Sequence, residues 1–487
     1  MKKIGKYLAL ALAITMVVTL LLSGCNKTAS DGTKKIVWYT FGTKQADHDK
    51  VVAAVNEKLK EKLGAELDYK VIDGSSYEQK INLAVSAGEV FDICFTSSWM
   101  NNFNNNAAKG AYLEITDELL QKNAPGLRGK YPDFFFDGGM YSEKLYAIPN
   151  YQMLALPAGV SIREEFAEKY NFDIDSVKEL KDIEPLLAAV KEGEPNIFPF
   201  NPRSIDPFGF KFPNISSQST ICYDKEDESL TVLARCETPY AMELLEFWAD
   251  WYDKGYIRKD LLTSKDDTDN DIINNKFAVL TGGVKPGGDG DLKLKTGKDY
   301  KSVPVAEAEI NTNVSVTTML AISKTSQDPD LAMQFIDLLH TDKEIYNMLL
   351  FGIQDENYTV KSEDPTVVEV PENSKYSMSA TSGWTFGNQF NAFYRTDQTP
   401  GSWEESDAMN RSTKLSKIYG FNFITDSVKN QIAQASAVYD EYDPERIYAR
   451  SNWKEAYNEY VQKTKAAGVD DIVKEAQKQL DEWKATR

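Results

Sequence analysis

The chain has 487 residues, with 55 Lys and Arg against 74 Asp and Glu, so its formal net charge is −19 with both histidines neutral. A field of that sign repels phosphate backbones and anionic headgroups, which disfavours a general role on nucleic acid or on a membrane surface. The hydrophobic share of 42% and the aromatic share of 11% suffice to bury cores and exclude wholesale disorder. At this length two or three domains or lobes are expected, since single cores stop growing near roughly 250–300 residues.

The first two dozen residues have the pattern of a secretory leader. Three lysines precede an apolar run from Tyr7 to Leu22, which at sixteen residues is shorter than the roughly 20 that a membrane-spanning helix needs. Small residues and then Cys25 follow, and a cysteine thiol in that position is the nucleophile that accepts a lipid. The pattern predicts a signal peptide over residues 1–24 and a lipidated Cys25. The alternative is an ordinary signal peptide followed by a chance cysteine.

The segment 25–35 is polar and rich in small residues, as expected of a flexible tether. Removing the leader, which holds three basic residues and no acid, leaves 52 basic and 74 acidic residues, a net charge of −22. We therefore expect a protein that works outside the cytoplasmic membrane and is held there by lipid and not by a helix. That place is the extracellular face of the cell membrane, or the periplasm in a two-membrane bacterium.

The mature chain then alternates short apolar strands with amphipathic helices, which predicts an α/β fold. Strands are predicted at 36–42, 65–73 and 91–97. One intervening helix carries Val51, Val55, Leu59 and Leu63 on one face, and a second is predicted to open with a capping box at Ser75–Glu78 and to end near Gly88. This repeat predicts a parallel sheet with right-handed crossovers.

A Pro-containing extended segment at 145–151 is a predicted crossing between lobes. A second α/β region and then a helical C-terminus are expected beyond it. The further predicted elements are helices at 177–191, 239–254, 329–339 and 344–351, a strand and loop within 277–291, an extended run at 314–323, and three helical segments towards the end of the chain.

The cysteines after the leader predict no metal site. Cys94 lies in an apolar strand-like run and is expected to pack in a core. Cys222 and Cys236 flank a predicted hairpin turn almost symmetrically, and an exported protein can oxidise such a pair. Spacing alone cannot supply disulfide geometry, so the sequence leaves this disulfide open.

Catalytic and cofactor motifs are missing from the sequence. His48 and His340 lie far apart in predicted helices with charged neighbours, where a surface or capping role is expected. There is no HExxH and no CxxC, so neither a metal nor another cofactor is predicted. Two carboxylates for sugar hydrolysis cannot be picked out by pattern, which leaves an enzyme unsupported but not excluded.

Aromatic and amide side chains, in contrast, cluster in loops just after predicted strands. Trp38, Tyr39 and Phe41 end the first strand, and the others lie in later loops: Trp99, Asn101 and Asn102 after the third strand, Tyr151 and Gln152 after the first crossing, and Trp384, Asn388 and Gln389 in the late loop. In open α/β sheets ligands bind beyond the carboxyl ends of the strands, where aromatic faces can stack on sugar rings and amides can satisfy hydroxyls. The alternative for each ring is packing in a core or between lobes. Arg203 is a further donor, with pairing to an acid as its alternative.

Several motifs in a fixed order resemble one known family. After the lipobox-like leader come WYTFG, SYEQKINLAVSAGEVFDICFTSSW, FAVLTGGVKPGGD, AISKTSQDPDLAMQFIDLLHTDKEIYNMLLFGI and GWTFGNQFNAFY. Together they resemble the extracellular solute-binding lipoproteins of bacterial ABC importers. The end of the chain, with GFNFITDSVKNQIAQASAVYDEY and AGVDDIVKEAQKQLDEW, resembles the tail domain of one subfamily often linked to sugar uptake.

The resemblance implies two α/β lobes of the type II periplasmic-binding-protein kind, a hinge of several crossing segments, and a helical C-terminus. The division it suggests is lobe 1 at 36–148 and 310–365, and lobe 2 at 149–309 and 366–487. Only Trp99, Trp384 and the Trp38–Tyr39 pair carry over from the family as site residues. The full predicted ligand-binding set is Tyr39, Trp99, Asn101, Tyr151, Arg203, Trp384, Asn388 and Gln389.

These observations lead to one hypothesis and two alternatives. The leading hypothesis is a lipid-anchored monomer that binds an oligosaccharide in the interlobe cleft and delivers it unchanged to the permease subunits, with no nucleic-acid partner. The alternatives are a surface glycoside hydrolase or lyase, and a sensory or adhesive lipoprotein that binds carbohydrate without transport. Peptides or lipid headgroups remain possible ligands, whereas the negative charge disfavours highly anionic solutes.

Overall fold

The computed structural model describes residues 33–202, 211–215, 218–263, 268–312, 316–377 and 383–486. The predicted leader, the predicted lipidation site Cys25 and the predicted ligand residue Arg203 lie outside these residues.

The strands belong to five hydrogen-bonded sheets within the described residues. In chain order they are β1 (Lys34–Phe41), β2 (Ala65–Ile72), β3 (Ile93–Thr96), β4 (Met140–Tyr141), β5 (Lys144–Leu145), β6 (Ala147–Pro149), β7 (Ala158–Arg163), β8 (Phe198–Phe200), β9 (Asn214–Ile215), β10 (Gln218–Tyr223), β11 (Val232–Ala234), β12 (Phe277–Gly283), β13 (Tyr300–Pro304), β14 (Met319–Ile322), β15 (Thr359–Glu363), β16 (Thr366–Glu369) and β17 (Tyr394–Arg395).

The α-helices alternate with these strands and then dominate the C-terminal region. In chain order they are α1 (His48–Leu63), α2 (Gly74–Ala87), α3 (Phe103–Ala108), α4 (Asp117–Asn123), α5 (Glu164–Lys169), α6 (Glu184–Gly193), α7 (Pro239–Asp253), α8 (Thr268–Ile273), α9 (Gly288–Thr296), α10 (Pro329–Thr341), α11 (Lys343–Phe351), α12 (Ser402–Ser412), α13 (Lys429–Tyr442), α14 (Trp453–Ala466) and α15 (Val469–Ala485).

The first lobe is built on a five-stranded sheet with the order β2-β1-β3-β14-β6. Strand β1 pairs in parallel with β2 and β3, as the strand–helix alternation predicts. Strand β14 runs antiparallel to both β3 and β6, with Met319 opposite Thr96 on one side and opposite Pro149 on the other. The carboxyl ends of β1, β2, β3 and β6 and the start of β14 therefore share one edge of the sheet.

The second lobe is built on a four-stranded sheet with the order β13-β7-β12-β8. Strand β7 runs antiparallel to β12 and to β13, while β12 and β8 are parallel. The ends of β8, β12 and β13 thus meet at the edge where β7 begins. The small antiparallel sheet β11-β10-β9 belongs to the same lobe and contains the predicted hairpin, in which Cys222 lies opposite Leu233. Cys222 and Cys236 are both buried free thiols.

Within the described residues, the chain connects the lobes at three places. Residues 150–157 lead from β6 to β7, and residues 305–312 and 316–318 lie between β13 and β14. Residues 413–420 lead from α12 to the C-terminal helices and pair with the second segment through the bridge between Ile310 and Leu415. The predicted two-lobed α/β fold with several crossing segments and a helical C-terminus is confirmed.

The C-terminal helices pack on the second lobe. Ile472, Ala476 and Leu480 of α15 are buried in the same core as Val160 and Phe200. The amide of Val232 also donates to the Gln477 side chain at 2.7 Å. This packing agrees with the assignment of the helical end of the chain to lobe 2.

The described residues from 366 to 377 and from 383 to 412 belong to the other core, however. Val368, Phe386 and Ala392 are buried with Trp38 and Ile148 of the first lobe. The predicted boundary at residue 365 is wrong for this stretch, because its apolar residues pack against α10 and α11 after a long loop. The sequence pattern does not indicate which distant helices these residues pack against.

Local details also depart from prediction. Helix α2 is capped by Asp73, whose carboxylate accepts the Ser75 amide at 3.0 Å, and not by the Ser75–Glu78 box. Helix α6 begins at Glu184, because the 3-10 turn Leu180–Ile183 occupies part of the predicted helix before it. Among the described residues no helix is long and apolar enough to cross a membrane.

Candidate functional site

The crossing segments leave the first sheet at the edge where its parallel strands end. Phe41 closes β1, and Trp99 lies in the turn after β3. Asn150 and Gln152 follow β6 at the start of the first crossing segment, and Thr317 precedes β14 at the end of the second. The second sheet receives the same two segments at its own carboxyl edge, so the two edges face each other across the crossings. Ligand sites of open α/β sheets lie at such an edge.

Four rings from distant parts of the chain meet at the first edge, and we call Phe41, Phe95, Trp99 and Trp384 the aromatic site. The centroid of Trp99 lies 5.7 Å from Phe41, 5.9 Å from Phe95 and 6.2 Å from Trp384. Phe41 and Trp384 are 6.1 Å apart. These spacings are those of interacting aromatic pairs. The structure therefore brings together Trp99 and Trp384, which the sequence singled out.

Trp99 is held by its polar edge and leaves much of its ring open. Its indole nitrogen donates to the Thr317 carbonyl at 2.8 Å. The Ser97 hydroxyl fixes the turn by accepting the amides of Trp99 at 3.2 Å and Met100 at 2.7 Å. The Trp99 side chain is nevertheless 51% exposed. A large, oriented and accessible ring is what stacking on a ligand requires.

The loop that carries Trp384 is anchored on both sides. The Gly383 carbonyl accepts the Tyr346 hydroxyl at 2.7 Å. Gly387 adopts φ +57°, and a Cβ there would lie 2.2 Å from the Leu339 carbonyl oxygen, so the loop lies directly on the end of α10. Tyr151 pairs with the loop through backbone bonds to Gly387 and Gln389 at 2.7 and 2.8 Å. Trp384 is therefore placed by the first crossing segment as well as by the core.

Polar groups border the rings at the start of the crossings. The Gln152 amide donates to the Thr318 hydroxyl at 3.0 Å. Asn150 is 2% exposed, donates to the Trp384 carbonyl at 3.5 Å, and has a side-chain oxygen without a hydrogen-bond partner in the described part of the chain. Sequence reasoning passed over Asn150. Its signal was its position directly after a strand of this edge.

Three predicted ligand residues are instead built into the fold. Tyr39 is 3% exposed and donates to Glu89 at 2.6 Å; burial, together with this bond, raises its pKa. Asn101 is fully buried and donates to the Phe95 carbonyl at 2.8 Å. Tyr151 donates to Asp407 at 2.7 Å and packs against Tyr131. In this conformation the faces and polar atoms of these side chains are engaged by the protein, and ligand contact by them stays a prediction.

The last two predicted amides lie on the loop that carries Trp384. Asn388 is buried and uses its side-chain oxygen to accept the Phe390 amide at 3.0 Å, which caps a short 3-10 turn. Gln389 is half-buried on the loop that Tyr151 fixes. Direct ligand contact by Gln389 stays a prediction.

Both histidines are buried, so the predicted surface or capping role is wrong. His48 lies 3.0 Å from the Tyr69 carbonyl oxygen. His340 is completely buried beside the Tyr131 hydroxyl at 3.0 Å, and burial, with a smaller effect of Lys130, lowers its pKa to about 3. Among the described residues no cluster of three or more His, Cys, Asp or Glu is placed to hold a metal ion.

The opposite edge, on the second lobe, is rich in glycine. Gly282 and Gly283 end β12, and Gly287 and Gly288 come shortly afterwards, beyond Lys285. Gly287 has φ +75° and a Cβ there would lie 3.0 Å from the Ser402 Cβ. This loop therefore touches the start of α12 in the first lobe, a second kind of contact between the lobes besides the crossing segments.

Comparison with protein families identifies two regions of the chain. Residues 45–345 match the model of the bacterial extracellular solute-binding proteins. Residues 417–485 match a domain of unknown function, DUF3502. The first match covers more than half of the 487 residues.

Similar proteins and structures cover nearly the whole chain. A carbohydrate ABC transporter substrate-binding protein of Streptococcus pneumoniae serotype 4 is 28% identical over 469 residues, which is 95% of this chain and 94% of that protein. The crystal structure of the N-glycan transport solute binding protein NgtS from Streptococcus pneumoniae has 27% identity and a TM-score of 0.80, covering 92% of this chain and 98% of that one. Its complex with Man5GlcNAc has 26% identity and a TM-score of 0.68, with 93% and 99% covered.

Proposed function

Because the chain belongs to the bacterial extracellular solute-binding proteins, we propose that it is the substrate-binding subunit of an ABC importer and captures a neutral oligosaccharide between its lobes. The observation that carries the proposal is the half-exposed indole of Trp99 beside Trp384 at the edge where the crossing segments begin. The family is one of binding proteins, so the chain is not an enzyme. The hydrolase or lyase alternative is therefore set aside.

The ligand class is supported by the chemistry of the site. Flat rings match the C–H faces of sugar rings, and the bordering amides and hydroxyls match sugar hydroxyls. The net charge of −19 favours an uncharged solute over an anionic one. The names of two similar proteins agree with this ligand class. One is named for carbohydrate transport and the other for N-glycan transport.

Capture would proceed through hinge closure. The aromatic site holds the sugar on the first lobe, and the glycine-rich edge of the second lobe closes over it through the crossing segments. Ligand shifts the equilibrium to the closed form only as far as it binds that form more tightly. The permease then receives the closed, loaded protein, and no covalent chemistry is involved.

The proposal includes a lipid anchor on Cys25, which rests on the leader pattern alone. A Cys25→Ala variant is expected to leave the membrane fraction and to lose incorporation of radiolabelled palmitate. Membrane retention of that variant at the wild-type level would contradict the anchor and leave the binding function untouched.

A ligand screen tests the binding function. Thermal unfolding is measured with mannose- and N-acetylglucosamine-containing oligosaccharides and with malto-oligosaccharides of matched length. A ligand at a hundredfold excess over its Kd stabilises the folded protein by about 2.7 kcal/mol. A shift with one sugar series, without release of shorter products, is the expected result. No shift with any neutral oligosaccharide would contradict the proposal.

Uptake separates transport from sensing or adhesion. Deleting the coding sequence is expected to abolish uptake of the labelled sugar that the screen identifies, and the wild-type protein should restore it. Normal uptake in the deletion strain would favour the non-transport alternative.

A further inference from the structure

A cavity of about 330 Å³ lies inside the second lobe, away from the aromatic site. One wall is the face of α7 that carries Ala241 and Trp248, and another is the turn after β11 with Arg235. The third wall comes from the C-terminal region and includes Glu445, Tyr448 and Tyr457. The cavity shares no lining residue with the aromatic site among the described residues.

The C-terminal region forms one wall of this cavity. Glu445, Tyr448 and Tyr457 all lie within residues 417–485, the part that matches a domain of unknown function. The Tyr457 hydroxyl donates to the Cys236 carbonyl at 2.8 Å, which ties the helices to the wall formed by the small sheet. Trp248 and Tyr448 are nearly parallel, with ring centroids 6.3 Å apart, and form one continuous aromatic surface.

Polar groups on the cavity wall are not fully used by the protein. Tyr448 is 4% exposed, and its hydroxyl makes no hydrogen bond within the described residues but is not among the fully buried atoms that lack a partner, so it opens into the cavity. Arg235 donates from one terminal nitrogen to the Phe212 carbonyl at 2.6 Å and to the Asn214 side chain. A guanidinium has five N–H donors, so others stay available. Glu445 accepts the Tyr439 hydroxyl at 2.6 Å and keeps further acceptor capacity.

We propose that this cavity is a second saccharide site, which takes one or two sugar rings independently of the interlobe site. Its volume is at the lower end of small-molecule pockets, which begin near 300 Å³, so a longer chain does not fit inside. An aliphatic ligand would displace water from the Tyr448 hydroxyl and from the half-buried Arg235 without offering either group a hydrogen bond, and this desolvation is costly. An aromatic wall bordered by hydroxyl, guanidinium and carboxylate groups suits a ring that carries several hydroxyls.

Saturation-transfer NMR with D-mannose, D-glucose and N-acetyl-D-glucosamine, each up to about 20 mM, measures binding to the mature protein. Ala241→Trp fills the cavity and is expected to abolish transfer to the sugar that binds. Tyr448→Phe keeps the ring and removes the unpartnered hydroxyl, so the melting temperature should not fall while the affinity drops about threefold to tenfold. The double variant Trp99→Ala/Trp384→Ala should retain this binding, because it alters only the aromatic site.

The outcomes of this experiment can be told apart from failure of the proposed function, because the proposed function concerns the binding of oligosaccharides in the interlobe site. Absence of transfer to all three sugars overturns the second site. So does transfer that persists in Ala241→Trp, or that is lost in the Trp99→Ala/Trp384→Ala variant. If Ala241→Trp does not fold, an unchanged affinity in Tyr448→Phe overturns the proposal by itself.

Discussion

The two sheet edges that face each other across the crossing segments differ in what they offer a ligand. The first carries large rings in fixed orientations, with Trp99 tied through its indole nitrogen and Trp384 held by an anchored loop. The second, as far as it is described, carries Asn201 and the run TGGVKPGGDG after its strands, without an aromatic residue in that run. One edge is suited to hold a ligand and the other to approach it closely.

This difference has an energetic consequence. Rings that are already oriented lose little conformational freedom on binding, so their contacts contribute more of their energy to affinity. A glycine-rich loop presents little side-chain surface but lets backbone amides come near a ligand. We therefore expect affinity to depend mainly on the first lobe and closure mainly on the second.

Removing the rings of the first edge should have the largest effect. Trp99→Ala and Trp384→Ala should each weaken oligosaccharide binding about tenfold, and the double variant about a hundredfold, since stacking area and orientation are lost together. Because the two rings are 6.2 Å apart, some coupling is expected between the single effects. Isothermal titration calorimetry measures all three affinities.

The matched control is Trp453→Ala, which removes an indole from α14 in the second lobe. It should change affinity less than twofold. Equal affinities in the double variant and the wild type would show that the aromatic site does not bind the ligand. The proposed role of the first sheet edge would then be wrong.

Low pH should destabilise the folded protein near His340, which holds the loop that carries Trp384 at the first edge. His340 lies at the end of α10, and its carbonyl accepts Asn391 of the Trp384 loop at 3.0 Å. Burial lowers its pKa to about 3, below the unfolded value near 6.5, so the unfolded state binds the extra proton between these values. Stability is therefore full above pH 6.5 and falls as the pH drops, on the order of 1 kcal/mol per pH unit below about pH 6.

Urea unfolding between pH 7 and pH 5 measures this slope before most carboxylates titrate. His340→Gln cannot take up the proton and should show a flatter profile, even if it is less stable at pH 7. A profile as steep as that of the wild type would assign the acid sensitivity to other groups. The ammonium of Lys130 donates to the same carbonyl at 2.6 Å, and burial lowers the pKa of this lysine.

Two glycines of the second edge provide a matched pair. Gly287 combines φ +75° with a prospective Cβ contact of 3.0 Å to Ser402, so Gly287→Ala should cost about 1–2 kcal/mol of stability. Gly282 has open space at its Cβ, so Gly282→Ala should be nearly neutral. Thermal unfolding compares the two variants.

The same pair sharpens the comparison of the edges. If the second edge acts mainly in closure, Gly282→Ala should change affinity less than threefold, well below the effect of Trp99→Ala. A larger loss would show that the ligand contacts this loop as closely as it contacts the rings.

The sequence predicted the parts of the fold that depend on local pattern. Strand alternation and the spacing of Val51, Val55 and Leu59 predicted β1, β2 and α1 closely, since these residues are indeed buried on one face. The site was predicted where a tryptophan followed a strand among small and polar neighbours. Trp99 has too few apolar neighbours along the chain to be covered locally, and its position at the sheet edge leaves it exposed.

The rest depended on partners that lie far away in sequence. Tyr39 lies near the end of β1 and Tyr151 follows β6, so both are aromatic residues near strand ends as Trp99 is, but Glu89 and Asp407 engage their hydroxyls. Residues 366–412 joined the first lobe because α10 and α11 offered an apolar surface there. Neither the partners of these hydroxyls nor the packing of this stretch on the first lobe is indicated by a periodic pattern in the sequence.

Tyr39→Phe gives the smallest expected effect and tests that distinction. The variant keeps the ring and loses the hydroxyl that donates to Glu89 at 2.6 Å, in a pair that is only partly buried. A hydrogen bond to a charged group of this kind contributes about 1 kcal/mol, so unfolding should become easier by roughly that amount while oligosaccharide affinity stays within twofold. Chemical denaturation and calorimetry on the same samples separate the two effects.

A Tyr39→Phe variant of unchanged stability but weaker ligand binding would return Tyr39 to the site, because it would mean that the lobes rearrange on binding and free the hydroxyl from Glu89.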